Sequence, residues 1–325
     1  MKFNFHKNHK LLFATILTGF FLISLIVAVG PALNVQKSNK PLPGSAPLTE
    51  SQQRGLNTYV AEGCLYCHTQ QVRPLEVDEP YGRPSAPGDF ARLKPQDFWR
   101  FTPSTLGTER TGPDLSNIGN RQPSEAWHYI HLYNPRAVVS KSIMQAYPWL
   151  FEIREYPIKS DLVVTLPPEY APIKGKVIAT QKAKDLVAYI LSLRQTPIKG
   201  RFATLEDSTE TVAKSDTGNP GKQLYGIQCA SCHQANGEGV PGVFPPLVND
   251  PVLNDPDPSE HINIIINGLK DKEINGVMYT SAMPPHRDLL SDDEIAEIVN
   301  YERQEWGNTE NPVTSGDVEI IRNKK

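Results

Sequence analysis

Cys64-Leu65-Tyr66-Cys67-His68 and Cys229-Ala230-Ser231-Cys232-His233 repeat one five-residue pattern, Cys-x-x-Cys-His, and use all four cysteines of a 325-residue chain. Two thiols one helical turn apart, with histidine at the next position, form the attachment signature of a c-type haem. The thiols add to the two vinyl groups of one porphyrin while the histidine offers a ring nitrogen to the iron. Structural zinc gathers its four ligands in one site, and a dithiol redox pair has no use for the adjacent histidine, twice. The pattern predicts two covalently bound haem c groups, attached through Cys64, Cys67, Cys229 and Cys232, with His68 and His233 as proximal iron ligands.

The rest of the composition fits that reading. The length suits about two domains, and 29 prolines with 22 glycines favour a loop-rich fold. Short helices and long loops suffice around a porphyrin, whose apolar faces replace part of a side-chain core. The net charge is −3, and setting aside Lys2, Lys7 and Lys10 leaves the remainder three units more negative, before the haem propionates. Such a balance excludes nucleic-acid binding by the globular part.

No charged residue occurs from Leu11 to Gln36, and Leu11–Val29 is dominated by Leu, Ile, Phe, Val and Ala. This is the length of a membrane-crossing helix and too long for the apolar core of a signal peptide. Cleavage near Ala28-Val29-Gly30 would leave Pro31 after the cut, so the expectation is an uncleaved anchor. Lys2, Lys7 and Lys10 precede it and hold the N-terminus in the cytoplasm. The expected location is therefore a bacterial cytoplasmic membrane, crossed once, with everything after Gln36 on the periplasmic side, where c-type haem is attached.

Residues 37–48 are Pro-, Ser- and Lys-rich and read as a tether. Thr49 and Gln52 fit a capping box that starts a helix leading into Cys64. Asn219 and Pro220 suit the start of the matching helix before Cys229. Each half closes with an amphipathic helix, over about Gln181–Arg194 and after the Ser291–Glu294 capping box. The expected fold class is all-α: a cytoplasmic tail and transmembrane anchor over residues 1–36, a first class I cytochrome c domain over 45–195, a linker over 196–217, a second such domain over 218–308, and a mobile tail over 309–325.

A sixth iron ligand is needed unless the iron binds gas or substrate. In the first domain Met144 stands alone between the haem motif and the closing helix, with His128 and His131 as competitors. In the second, Met283-Pro284-Pro285 is preferred over Met278 because prolines stiffen the loop and remove competing backbone donors. A proximal histidine commonly gives its other N–H to a backbone carbonyl, and Pro113 and Pro245 stand at the places suited to orient His68 and His233. Arg73, Arg121 and Arg136 are candidates to neutralise propionates.

Gly63–Pro74, Arg110–Leu115, Trp127–Leu132, Asn134-Pro135-Arg136 and Ser142-Ile143-Met144 through Tyr147-Pro148-Trp149-Leu150 form an ordered series of blocks that resembles subunit II of cbb3-type cytochrome c oxidases, a membrane-anchored mono-haem cytochrome c. The resemblance covers about residues 10–195. It implies electron relay from donor cytochromes to a haem–copper catalytic subunit on another chain. Two features depart from the family: Gln145 replaces the usual proline after the ligand methionine, and residues 218–308 add what resembles a generic class I cytochrome c.

The expected function is thus a membrane-anchored di-haem electron-transfer subunit of a cbb3-type oxidase, itself non-catalytic. Its expected partners are the haem–copper catalytic subunit, an electron-donor cytochrome or complex, and membrane lipid. The cytochrome subunit of a nitric oxide reductase-like complex and a free-standing membrane-tethered shuttle are the rival readings. An autonomous di-haem peroxidase would need an open iron position, against which two methionine candidates argue.

Overall fold

The computed structural model describes residues 4–38, 42, 46–90, 107, 109–196, 219–307, 309 and 311–324. Two compact units are distinguished: residues 1–47 with 86–102, and residues 48–85 with 103–325. The linker positions 197–217 and tether positions 39–41 and 43–45 lie outside the described residues.

In the first unit, Asn8 caps helix α1 (His9–Ser24) by accepting from the Leu11 amide at 3.0 Å. The helix continues through a π-helical turn at Leu25–Val29 into α2 (Gly30–Ser38). Pro31 explains that turn. It has no N–H and its ring crowds the carbonyl four residues back, so the backbone widens just before it, with the Gly30 N–H reaching Leu25 O. His9–Asn34 is the one helix among the described residues long and apolar enough to cross a membrane, with mean hydropathy 2.6. A short turn, α5, follows much later at Pro87–Phe90.

The second unit repeats one packing device. Helix α3 (Glu50–Ala61) starts at the Thr49–Gln52 capping box and passes through Gly63, at φ 75°, into α4 (Cys64–Cys67). After α6 (Ile118–Arg121) and α7 (Glu125–Tyr133) comes α8 (Gln181–Ser192), which crosses α3 at Gly55. A Cβ at Gly55 would lie 1.9 Å from the Asp185 carbonyl oxygen, so only glycine permits this approach. One turn on, Tyr59 meets Tyr189 with ring centroids 5.5 Å apart. The same crossing recurs between α9 (Pro220–Gln228), which leads into α10 (Ala230–His233), and the later α13 (Asp292–Trp306). A Cβ at Gly221 would lie 2.1 Å from Glu297 O, and Tyr225 meets Tyr301 at 5.4 Å. Helices α11 (Pro251–Asn254) and α12 (Ser259–Asn267) complete the packing, with Ile262 and Ile266 fully buried against Ile295, Ile298 and Val299.

The fold is helix-rich rather than all-α. Strands β1 (Phe151–Arg154), β2 (Val163–Val164) and β3 (Lys176–Ala179) form an antiparallel sheet in the order β1-β3-β2, with Phe151 opposite Ala179. A hairpin joins β4 (Lys272–Ile274) to β5 (Val277–Tyr279). Its turn, Asn275-Gly276, has positive φ at both residues, which suits the right-handed twist of the two strands. The mobile tail expected over 309–325 is also corrected. Thr314 and Asp317 form a capping box for α14 (Ser315–Asn323), whose Val318 and Ile321 are buried in the core. Arg322 anchors it, donating to Asp292 Oδ1 at 2.6 Å and to Leu290 O at 2.9 Å.

Candidate haem-binding sites

Each Cys-x-x-Cys-His motif sits at the end of a helix that its partner tyrosine ties down. Tyr59 donates to His68 O at 3.3 Å, and Tyr225 donates to Gln234 O. No two of the four cysteines pair with each other in a disulfide. Burial pushes Cys64 and Cys232 up to about 12 and drives Cys229 well above the usual thiol range. Among the described residues, no three His, Cys, Asp or Glu side chains converge on a metal site.

The loop after the first motif is built to present a carbonyl to His68. The Gly112 amide donates to Cys67 O at 3.0 Å, and the Leu115 amide to Thr69 O at 2.9 Å. Asp114, fully buried, accepts from Thr69 Oγ1 at 2.5 Å, from the Gln71 amide at 2.8 Å and from the Ser116 amide at 2.8 Å. These bonds hold Pro113 O 2.8 Å from His68 Nδ1. Gly112 passes so close to the ring that a Cβ there would meet His68 Cε1 at 2.3 Å. With Nδ1 committed as donor to a carbonyl, Nε2 keeps its lone pair for iron. Burial also lowers the His68 pKa, against a smaller opposing effect from the Pro113 carbonyl, which keeps the ring neutral. In the second motif His233 Nδ1 lies 2.9 Å from Pro245 O. The Gly239 amide returns to His233 O at 2.9 Å to close that loop.

Met283 pairs with Leu269 in an isolated antiparallel bridge and lines a cleft of about 1060 Å³, counted to its open mouth. Cys229, Cys232, His233, Pro245, Leu253 and Ile265 also line it. Its walls are mostly apolar, and both thiols, the imidazole and the thioether loop contribute to its lining. That donor set fits a covalently held porphyrin. Met278, on β5, is 52% exposed and does not line the cleft.

Met144 is half-buried, and Arg136 holds its loop by donating to Ser142 O at 3.0 Å and Met144 O at 2.9 Å. Arg136 thus supplies the stiffness that proline at position 145 would give. Arg73 is engaged with Asp78 at 2.8 Å, whereas Arg121 lies 5.3 Å over the Tyr81 ring with a buried Nε that has no hydrogen-bond partner. His128 is committed to Gln122 O at 2.8 Å, and His131 stacks on Trp127.

Sequence reasoning missed three buried groups in the second cleft. His261 Nε2 lies 2.8 Å from Glu302 Oε2, and His286 lines the wall nearby. No local pattern marks His261 and Glu302 as neighbours, since they meet only through the packing of α12 on α13.

A sequence profile for the family described as cytochrome c oxidase, mono-heme subunit/FixO matches residues 4–166, about half of the chain. The chain belongs to this family. A cytochrome c profile matches residues 219–305, so each profile spans one Cys-x-x-Cys-His motif. Relatives of this FixO-family chain include the cytochrome c subunit of a quinone-dependent alcohol dehydrogenase from Gluconobacter oxydans (strain 621H), 34% identical over 41% of the chain and 28% of the relative. Cytochrome c-552 of Thermus thermophilus is 35% identical over 32% of the chain and 86% of the relative. The gluconate 2-dehydrogenase cytochrome c subunit of Pantoea cypripedii is 28% identical over 42% of the chain and 33% of the relative. The chain thus spans about three tenths of the dehydrogenase subunits it matches. It is a cytochrome c electron-transfer protein, and the cytochrome c domains imply covalently bound haem.

Proposed function

We propose that the chain is a membrane-anchored di-haem electron-transfer subunit of a cbb3-type haem–copper oxidase, built from two class I cytochrome c domains that follow one anchor helix. Cys64 and Cys67 attach one haem and Cys229 and Cys232 the other. His68 with Met144, and His233 with Met283, would hold the two irons. Bound haem supplies a one-electron couple whose potential thioether ligation raises relative to bis-histidine. The chain's own residues do the rest. Pro113 and Pro245 fix the tautomer and plane of the histidines, Arg136 holds the first methionine loop, and the buried, unpaired Nε of Arg121 would offer its N–H to a propionate. The observation that carries the reading is the pair of equivalent Nδ1 contacts, at 2.8 and 2.9 Å, one in the segment matched by the FixO profile and one in the segment matched by the cytochrome c profile.

The likeness to alcohol and gluconate dehydrogenase subunits favours a second reading, a cytochrome subunit delivering electrons from a dehydrogenase. Purification of the native complex with its metal content separates them: copper and haem b on a partner support the oxidase, and a quinone- or flavin-bearing partner without copper refutes it.

A further inference from the structure

Within the second unit, the motif Cys229–His233 is seated on the elements around α7. Ser231, the residue before Cys232, receives two hydrogen bonds across this contact. Gln122 Nε2 donates to Ser231 Oγ at 2.5 Å, and Trp127 Nε1 donates to Ser231 O at 3.1 Å. Both donors are fixed from behind. Gln122 is buried, its carbonyl held by His128 Nε2 at 2.8 Å. Trp127 lies on α7, whose start Ser124 caps through the Trp127 amide at 3.3 Å. Gln122 and Pro123 form part of the wall of the cleft that contains Cys232 and Met283. Ser281, Ala282 and Pro284, flanking Met283, share a second hollow with Pro123–Ala126 and Leu162–Thr165.

Behind the contact the rings continue. The Trp127 indole stacks on His131 with centroids 4.4 Å apart and planes at 12°. His131 has a buried Nδ1 with no partner. Burial first, then the nearby His128 and His68, press its pKa down to about 3. At that value the His131 ring is neutral near pH 7.

Resting on the two-haem reading above, we propose that Gln122 and Trp127 dock the Cys232 edge of the second haem site onto the first cytochrome segment, and that the Trp127–His131 stack carries the electron between them. With both groups bound, His233 and His68 would hold the two irons between which a single electron is exchanged, one iron being oxidised as the other is reduced, with no bond made or broken and no proton moved. Because this edge is covered, a donor must reach the second site from another side.

The test is the internal electron-transfer rate in the full chain in detergent after flash photoreduction of one haem, read with haem stoichiometry and the spectrum of each haem. Trp127→Phe keeps the ring and loses the N–H. A hydrogen bond contributes about 1 kcal/mol, and 1.4 kcal/mol is a factor of ten, so the docking constant should fall about fivefold and slow the transfer. Gln122→Ala and Ser231→Ala should act similarly. Trp127→Leu, which also breaks the stack, should slow it more than Trp127→Phe, all with unchanged ligation spectra. Two haems per chain with an unaltered internal rate in Trp127→Leu and Gln122→Ala would overturn the docking proposal alone. One haem per chain would overturn the reading on which it rests.

Discussion

Gly221 and Gly226 lie five residues apart on the same helix, and replacing each with alanine should have opposite effects. At Gly221 a Cβ would stand 2.1 Å from Glu297 O and 2.7 Å from Tyr301 Cβ. The clash is with backbone, so α9 and α13 must separate, loosening the Tyr225–Tyr301 and Tyr225–Trp306 ring contacts at 5.4 and 5.1 Å. Overpacking of this kind costs about 1–3 kcal/mol. At Gly226 nothing lies within 4 Å of the new Cβ, and the position is exposed and helical. There alanine should stabilise by about 0.5–1 kcal/mol, because glycine loses more backbone freedom on folding. Amide hydrogen exchange of the full chain, read peptide by peptide, measures both. A loss of about 2 kcal/mol speeds exchange of α9 and α13 roughly thirtyfold, whereas Gly226→Ala should slow it. Equal effects of one sign at both positions would refute the argument that helix crossing distance dictates glycine at position 221.

Arg136→Ala should free the Ser142 and Met144 carbonyls and weaken methionine ligation in the first site only, seen as loss of the ferric thioether–iron charge-transfer band from one haem of two. Asp185 is held down to about 2, mainly by its hydrogen bond from Arg54. A depressed folded pKa contributes stability above the ordinary carboxylate range that is lost as pH falls from about 4 through 2. Acid melting of the α3–α8 pair should therefore be steeper in the native chain than in Asp185→Asn, read by hydrogen exchange at each pH. Substituting a cleavable export signal for residues 1–36 should release a soluble haem protein, checked by fractionation after carbonate washing, since His9–Asn34 is the spanning candidate among the described residues.

Much of this architecture was legible because its signals are local. The capping boxes at Thr49 and Ser291, the Asn219-Pro220 helix start, and the apolar stretch expected over Leu11–Val29, which falls within the helix His9–Asn34, each depend on residues within a few positions or on one uninterrupted apolar run. The closing helix expected to reach Arg194 ends at Ser192, an ordinary frayed boundary. The small sheet was missed because Phe151–Arg154 is stabilised by pairing with Lys176–Ala179, and two strands that short show little alternation of their own. Helix α14 carried its signal in Thr314-x-x-Asp317 followed by Val318 and Ile321, but a charged terminus masked it. The Gly-x-x-x-Tyr repeat at Gly55–Tyr59 and Gly221–Tyr225 was also readable, as the mark of two equivalent helix crossings. The seat of Ser231 on Gln122 and Trp127 was not, since over a hundred residues separate the partners.

The central claim, two covalently attached haems on one chain, is tested most directly by the intact mass of the protein purified from its native membrane under denaturing conditions. The account expects the polypeptide mass plus two haem groups, falling by one haem in Cys64→Ala/Cys67→Ala and by one in Cys229→Ala/Cys232→Ala. A chain carrying a single haem, or one that keeps both after either pair of cysteines is replaced, would contradict it.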